Sequence, residues 1–396
     1  MAIGPGLIVM LADTDAGSLI VAAQSGATWG YKLLLLQAIL IPILYIIQEL
    51  TLRLGLVTKT GHSKLIKEHF GSFWAWVSAS TLIICCVGAL TSELSGIAGV
   101  GEMFGIPTYI SVILTIVFLL WLVWTKSYNS VERVALAIGI FELVYLFIAW
   151  KAHPAASEII QGIKSMPLHN RDYLYLVSAN IGAVIMPWMI FYQQSAVVDK
   201  QLNEEHLTSA RIDTFIGAII TQLIMAAVII ATAATIGKNN PGASLDSIQQ
   251  ISHAIIPFVG VTAGKLLFAL GMLGGSLVAT VVVLLAVAWS IGEITGRKHS
   301  LQDSHREAPW FYLSLTLSFL FSAALVIFHL DLVKLNVAIN VLNAFLLPIV
   351  LLFLFLLASK VLPGKYRLRG WYAWVVGIVM AVTSIFGVVS GILGLI

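Results

Sequence analysis

The stretch GLIVMLADTDAGSLIVAAQ, residues 6–24, decides how the whole chain reads. Apolar residues flank a polar centre, Asp13-Thr14-Asp15-Ala16-Gly17-Ser18, and together they are long enough for one bilayer crossing. About 20 apolar residues span a hydrocarbon core about 30 Å thick, so the polar centre falls near mid-depth. A second stretch, ANIGAVIMPWMIFYQQ at residues 179–194, is interrupted in the same way from Gly182 to Trp188. Pro187 withdraws a backbone donor and crowds the preceding turn, and Gly17 tolerates backbone angles that other residues resist. A proline kink and an incidental glycine would account for the spacing alone. Two carboxylates in one span argue otherwise: each costs about 2.5–3.5 kcal/mol at the bilayer centre on insertion scales, and such groups mark ion or proton pathways. Interrupted helices at matching places in two halves point to an inverted-repeat transporter. Its substrate is then held at the midplane by freed carbonyls and half-helix ends.

Composition gives these stretches their setting. Of 396 residues, 59% are apolar and only 10% charged, with a mean hydropathy of +0.97. A soluble domain carries about 25% charged residues, so water is not the main solvent here. A net charge of +3 is too small to argue for nucleic acid. Cys85 and Cys86 adjoin one another in an apolar run and offer no disulfide framework. No phosphate-binding loop is visible, so ATP is not the energy source, and nothing suggests an enzyme or a resident cofactor. The first apolar run lacks a basic leader and a cleavage pattern, so no signal peptide is expected.

Eleven spans are predicted, at 7–29, 31–55, 73–103, 107–126, 132–151, 173–198, 212–236, 262–293, 309–329, 334–359 and 371–394. Runs such as Val281-Val282-Val283-Leu284-Leu285 lack the alternation of a barrel strand, so the fold class is an all-α membrane protein. The breaks in spans 1 and 6 divide the chain into a first repeat of five helices at 1–151, a second at 173–359, and one added helix at 371–394. Fifteen basic residues fall in one set of loops and seven in the other, which predicts a cytoplasmic N-terminus and an external C-terminus. A multi-pass protein of a prokaryotic plasma membrane, with the bilayer as its environment and no obligatory protein partner, is the expectation.

The two interruptions bring together an Asp, a Ser hydroxyl, freed carbonyls and the Met186 thioether. Hard cations take oxygen donors, whereas a thioether favours transition metals, so the set describes a divalent-cation site. No Lys or Arg lies in the core of a span, which disfavours an anion. Glu142 in span 5 either pairs inside the bundle or lines a pathway. Glu49 either helps close an inner gate or pairs with Arg53 one turn on. Gln193 and Gln194, two turns past Pro187, are candidates for the exit route. Five histidines, at 62, 69, 206, 299 and 305, read as solvated loop residues.

At these residues the sequence resembles the Nramp family of divalent metal transporters, which share the LeuT-like fold of five plus five inverted helices. The resemblance runs from Gly4-Pro5-Gly6 through Asp15-Ala16-Gly17-Ser18 and Gln24-Ser25-Gly26-Ala27 to Gly30-Tyr31. It continues at Leu54 to Thr58, Gly182 to Pro187, and Asn340 to Pro348. It implies metal contacts from Asp15, Met186 and the Ala183 carbonyl, with Ser18 where the family has asparagine and Asn340 where it has a glutamine. Asp13 is a carboxylate the family motif does not supply; it either adds an oxygen to the site or faces water. The departures are specific. Proline and asparagine of the span 1 motif are replaced by Ala16 and Ser18, the span 6 histidine by Trp188, and the second of two span 3 acids by Gly96, leaving Glu93. Two losses along the family's proton route imply weak or absent proton coupling. The same departures resemble the Nramp-related magnesium transporters, so Mg²⁺ is the favoured substrate, with Mn²⁺ also carried and Met186 arguing against that order. Proton-coupled Mn²⁺/Fe²⁺ import is the alternative within the class. A LeuT-like symporter of a small organic solute is the alternative outside it.

Overall fold

The computed structural model describes residues 5–124, 134, 137–245, 247–254, 256–301, 303–328 and 332–396. Among these residues every regular element is a helix. The chain opens with α1 (Pro5–Asp13), breaks, and resumes as α2 (Ala16–Trp29). There follow α3 (Leu34–Thr58), a short α4 (His62–Phe70), α5 (Ser72–Met103) and α6 (Thr108–Trp124). Next come α7 (Val144–Ala152) and α8 (Ala156–Lys164), then a second broken helix, α9 (Arg171–Val184) and α10 (Pro187–Asp199). The long helices that remain are α11 (Leu207–Thr232), α12 (Val261–Thr295), α13 (Pro309–Phe328), α14 (Leu332–Lys360) and α15 (Gly370–Leu395), with short helices at Ile248–His253 and Ile256–Val259 between α11 and α12.

Among the described residues, eight helical segments are long and apolar enough to cross a membrane. One of them, Ala16–Thr58, holds the end of expected span 1 and all of span 2, divided by the 3-10 turn Gly30–Leu33. Expected spans 107–126, 132–151 and 309–329 run partly outside the described residues, as do Gly4, Lys126, Arg133 and His329. The described part of 132–151 is uneven, with a 3-10 turn at Ile140–Leu143 before α7. The 153–170 connection carries a helix, α8, that the apolar pattern did not signal.

Both broken helices sit in the middle of the bundle. The first packs its α1 half on α11 and α12, and its α2 half on α9, α11 and α14. In the second, α9 packs on α14 and α15 while α10 packs on α3 and α12. The periphery is apolar and exposed, as at Phe321, Phe328, Trp371, Trp374 and Ile385, which suits contact with lipid tails. Many polar side chains are kept inside, among them Asn180, Gln193 and Thr280. The connections 59–61, 200–206, 296–301 and 361–369 gather at one end, called here the basic end, and 30–33, 153–170 and 238–245 at the opposite end.

Candidate metal site

The first break is made by Asp15. Helix α1 closes with the Thr14 amide donating to Leu11 O at 3.2 Å. Asp15 then takes an extended conformation and caps α2, its Oδ1 accepting from the Ser18 amide at 2.6 Å. A side-chain oxygen at this position satisfies one of the four donors that a helix N-terminus leaves unpaired. Asp15 therefore sits at the break in mid-bundle, where its carboxyl also engages the Glu93 carboxyl.

The second break is made by Pro187. Ile185 still donates to Ile181 O at 3.0 Å, but Met186 is extended and Pro187 begins α10 at its first position, where a missing N–H costs nothing. The Ser18 hydroxyl donates to the Ala183 carbonyl at 3.0 Å, so the two breaks touch. Asn340 of α14 completes the junction. A Cβ on Gly17 would lie 2.9 Å from its Nδ2, and a Cβ on Gly182 would overlap its carbonyl oxygen. The Asn340 amide itself donates to Asn336 O at 3.1 Å and accepts from Asn343 Nδ2 at 3.3 Å. Asp15, Ser18, Ala183, Met186 and Asn340 are all buried; Ser18, Ala183 and Asn340 meet where the two breaks touch, and Asp15 and Met186 are the residues at which the helices break.

Trp188 lies against the same site. Its indole Nε1 donates to Met186 Sδ at 3.1 Å, and the ring is wholly buried. The residue in the histidine position thus engages the thioether.

Three further carboxylates surround Asp15, all buried. Glu93 of α5 lies beside Asp15 and accepts from the Ala16 amide at 3.1 Å. Glu142 accepts from the Thr14 hydroxyl at the first break, a pairing inside the bundle and the first of its two readings. Asp13 has no hydrogen-bond partner on either oxygen and is 1% exposed. Open water is thus not its environment. Gly96 has a steric cause: a Cβ there would overlap the Ala16 methyl group, so the acid expected one turn past Glu93 has no room. Among the described residues no group of three or more His, Cys, Asp or Glu side chains converges as a metal centre. The donor set is mixed: carboxylate, hydroxyl, carbonyl and thioether.

The other candidates lie toward the basic end. Glu49 pairs with Arg53, the blander of its two readings, and also with Arg211 at 2.7 Å. Gln193 donates to Thr214 Oγ1 at 3.1 Å. Gln194 is not on an open route: its amide donates to Thr60 O at 2.8 Å, and its carbonyl meets His62 Nδ1 at 2.9 Å. His62 corrects the reading of the loop histidines. It is fully buried at the start of α4, stacked edge-on against Phe191, and burial holds its imidazole down to about 4. Glu293 escapes a reading of the sequence, because an acid at the last turn of a long apolar helix reads as an interfacial residue. Instead it is 5% exposed and hydrogen-bonded to two other elements. A cavity of about 570 Å³ opens at the opposite end between α2, α9 and α14, with Gln24 and Leu176 among its lining residues. At the basic end, a cavity of about 270 Å³ borders Glu293, Asp199 and the segment 59–61.

A profile of the family described as natural resistance-associated macrophage protein-like, Nramp, matches residues 6–392. The divalent metal cation transporter MntH of Bradyrhizobium diazoefficiens is 25% identical over 299 residues, 72% of this chain and 66% of that protein. The protein of the same name from Staphylococcus haemolyticus is 27% identical over 305 residues, 72% of this chain and 68% of that protein. The chain thus spans about two thirds of these relatives' length. Among solved structures, the Eremococcus coleocola manganese transporter superposes with a TM-score of 0.80 at 17% identity, covering 98% of this chain and 85% of that one. The nucleobase-cation-symport-1 family transporter Mhp1 superposes at 0.60 with 14% identity, covering 99% and 90%. At these identities the structures speak for the fold alone.

Proposed function

The chain belongs to the Nramp family, and from that premise we propose that it carries divalent metal cations across a lipid bilayer by alternating access. The metal is cargo, not a cofactor, and the chain is a transporter rather than an enzyme. The observation that carries this reading is the hydrogen bond from Ser18 to Ala183 O between Asp15 and Met186, which joins the two breaks around one buried point. Carboxylate, hydroxyl, amide and carbonyl oxygens with one thioether suit a first-row divalent ion. Mn²⁺ is the substrate with most support, since relatives and structural neighbours are named as divalent metal and manganese transporters.

Mg²⁺ is the second reading, and one contact favours it. With Trp188 donating to Met186 Sδ, the sulfur's electron density is partly engaged, leaving oxygen donors to dominate. The sequence preference for Mg²⁺ over Mn²⁺ finds no support in the relatives. Weak proton coupling rests on Trp188, which does not titrate, and on the packing that fixes Gly96. The N-terminus and basic end are read as cytoplasmic from loop charge.

Flux into liposomes with internal Mn²⁺, Mg²⁺ and pH indicators tests all of this. Mn²⁺ uptake that is lost in Asp15→Ala supports the reading. Absence of Mn²⁺ and Mg²⁺ movement under a steep gradient overturns it, and acidification driven by metal entry overturns weak coupling.

A further inference from the structure

At the basic end a short helix lacks its own cap. Gly61 precedes α4 and offers no side chain to the helix N-terminus. The Ser63 and Lys64 amides donate instead to Glu293 Oε2, at 3.0 and 3.4 Å, from the far end of α12. An anion at a helix N-terminus meets unpaired amides and the positive end of the dipole together. The other carboxylate oxygen accepts from the Ser195 hydroxyl of α10 at 2.6 Å. Ser63 and Ser290 hydroxyls meet at 2.6 Å. On the other flank, Gln194 holds Thr60 O and His62. A Cβ on Gly61 would overlap the Glu293 carboxylate, so the segment fits only as glycine.

We propose that Glu293 is a latch residue: by capping α4 and holding Ser195, it locks the segment 59–64 across the basic end of the transport route. The inference rests on the transporter reading but names a residue that reading does not. The latch has a mechanical link to the metal site. Gln194 and Ser195 lie on α10, whose first turn carries Pro187 and Trp188 beside Met186. A tilt of α10 about its break would withdraw Gln194 from Thr60 and His62, and Ser195 from Glu293, at once. The Glu293 carboxylate would then lose its hydroxyl donor, and its cap on α4, with the Ser63–Ser290 contact, would be left to hold the segment. Glu293 is a positioning residue, since it touches no residue of the metal site.

The test places a reporter beneath the latch. Ala286 lies two turns deeper than Glu293 on the same face of α12 and is buried. Ala286→Cys is labelled with a membrane-impermeant thiol reagent in the full-length protein in nanodiscs, against the background of the buried Cys85 and Cys86. Leu245→Cys, buried at the opposite end, is the control. With Glu293→Ala, labelling at 286 should rise about tenfold while labelling at 245 does not. Glu293→Gln should be intermediate, because an amide keeps two hydrogen bonds but loses the charge. Gly61→Ala is the second route to the same end, lifting the segment without removing any of its bonded groups, and reports where Glu293→Ala does not fold. Labelling at 286 that stays at the parent level in folded variants overturns the latch. A rise at both positions is general loosening and overturns it too. Labelling needs no metal, so a chain that carries neither Mn²⁺ nor Mg²⁺ yet opens at 286 overturns the transport reading and leaves the latch standing.

Discussion

The Ser18 hydroxyl and the Ala183 carbonyl, 3.0 Å apart, form a direct hydrogen bond between the two broken helices at the level of the breaks. It fixes the spacing of two donors that belong to different halves of the chain. Ser18→Ala removes one oxygen from the site and the tie between the halves. A buried hydrogen bond contributes about 1 kcal/mol net, so Mn²⁺ affinity should fall about fivefold. Equilibrium binding to the purified protein reads this directly. An unchanged affinity would mean that the ion sits elsewhere.

Trp188 and Met186 set the balance between soft and hard ions. Trp188→Phe keeps an aromatic ring and removes the donor to the sulfur, so Mn²⁺ should gain over Mg²⁺ by several fold. Met186→Ala should reverse the shift, because oxygen donors alone discriminate weakly against a hard ion. Competition of each ion against Mn²⁺ flux gives both ratios. Parallel loss of both ions in the two variants would point to packing instead of donor chemistry.

The breaks are legible in the sequence because each has a local cause: an aspartate that caps a helix, and a proline at a first helical position. The meeting of Asp15, Ser18, Ala183 and Met186 follows from placing those causes at matching depth. Glu293 and His62 are illegible for the opposite reason. Each owes its burial to an element far away in sequence, and neither has a neighbour in its own helix that betrays it. Gly96 is visible in the sequence as a missing acid, but its cause, contact with the Ala16 methyl, belongs to the packing of α2 on α5.

That contact carries its own consequence. Gly96→Ala would bring two methyl groups into overlap, and overpacking of a filled interior costs about 1–3 kcal/mol. The variant should unfold several degrees below the parent, and Ala16→Gly in the same chain should restore part of the loss. Thermal unfolding of the four proteins in one detergent forms the cycle. Additive losses would show that the two positions do not touch.

Acid should release the segment that Glu293 holds. His62 is buried in the closed arrangement, and its imidazole is held at about 4 against an ordinary value of 6.5. The groups facing it or the segment are Gln194, Phe191 and Asp199 from α10, Glu293 from α12, His299 beyond α12, Lys59 beyond α3, and Lys64 of its own helix. A group whose value is depressed by burial binds fewer protons when closed than when exposed. The closed form therefore keeps its full advantage above pH 6.5 and loses it progressively as pH falls toward 4. A tenfold change in proton activity is worth about 1.4 kcal/mol for one titrating group, so across this window the loss is bounded at about 3 kcal/mol. Deuterium uptake by residues 59–66, scaled to the intrinsic exchange rate at each pH, should rise across this window. His62→Gln retains a partner for Gln194 and has no proton to gain, so its uptake should stay level. A slope that survives in His62→Gln assigns the acid response to another group, with Glu293 the first to examine.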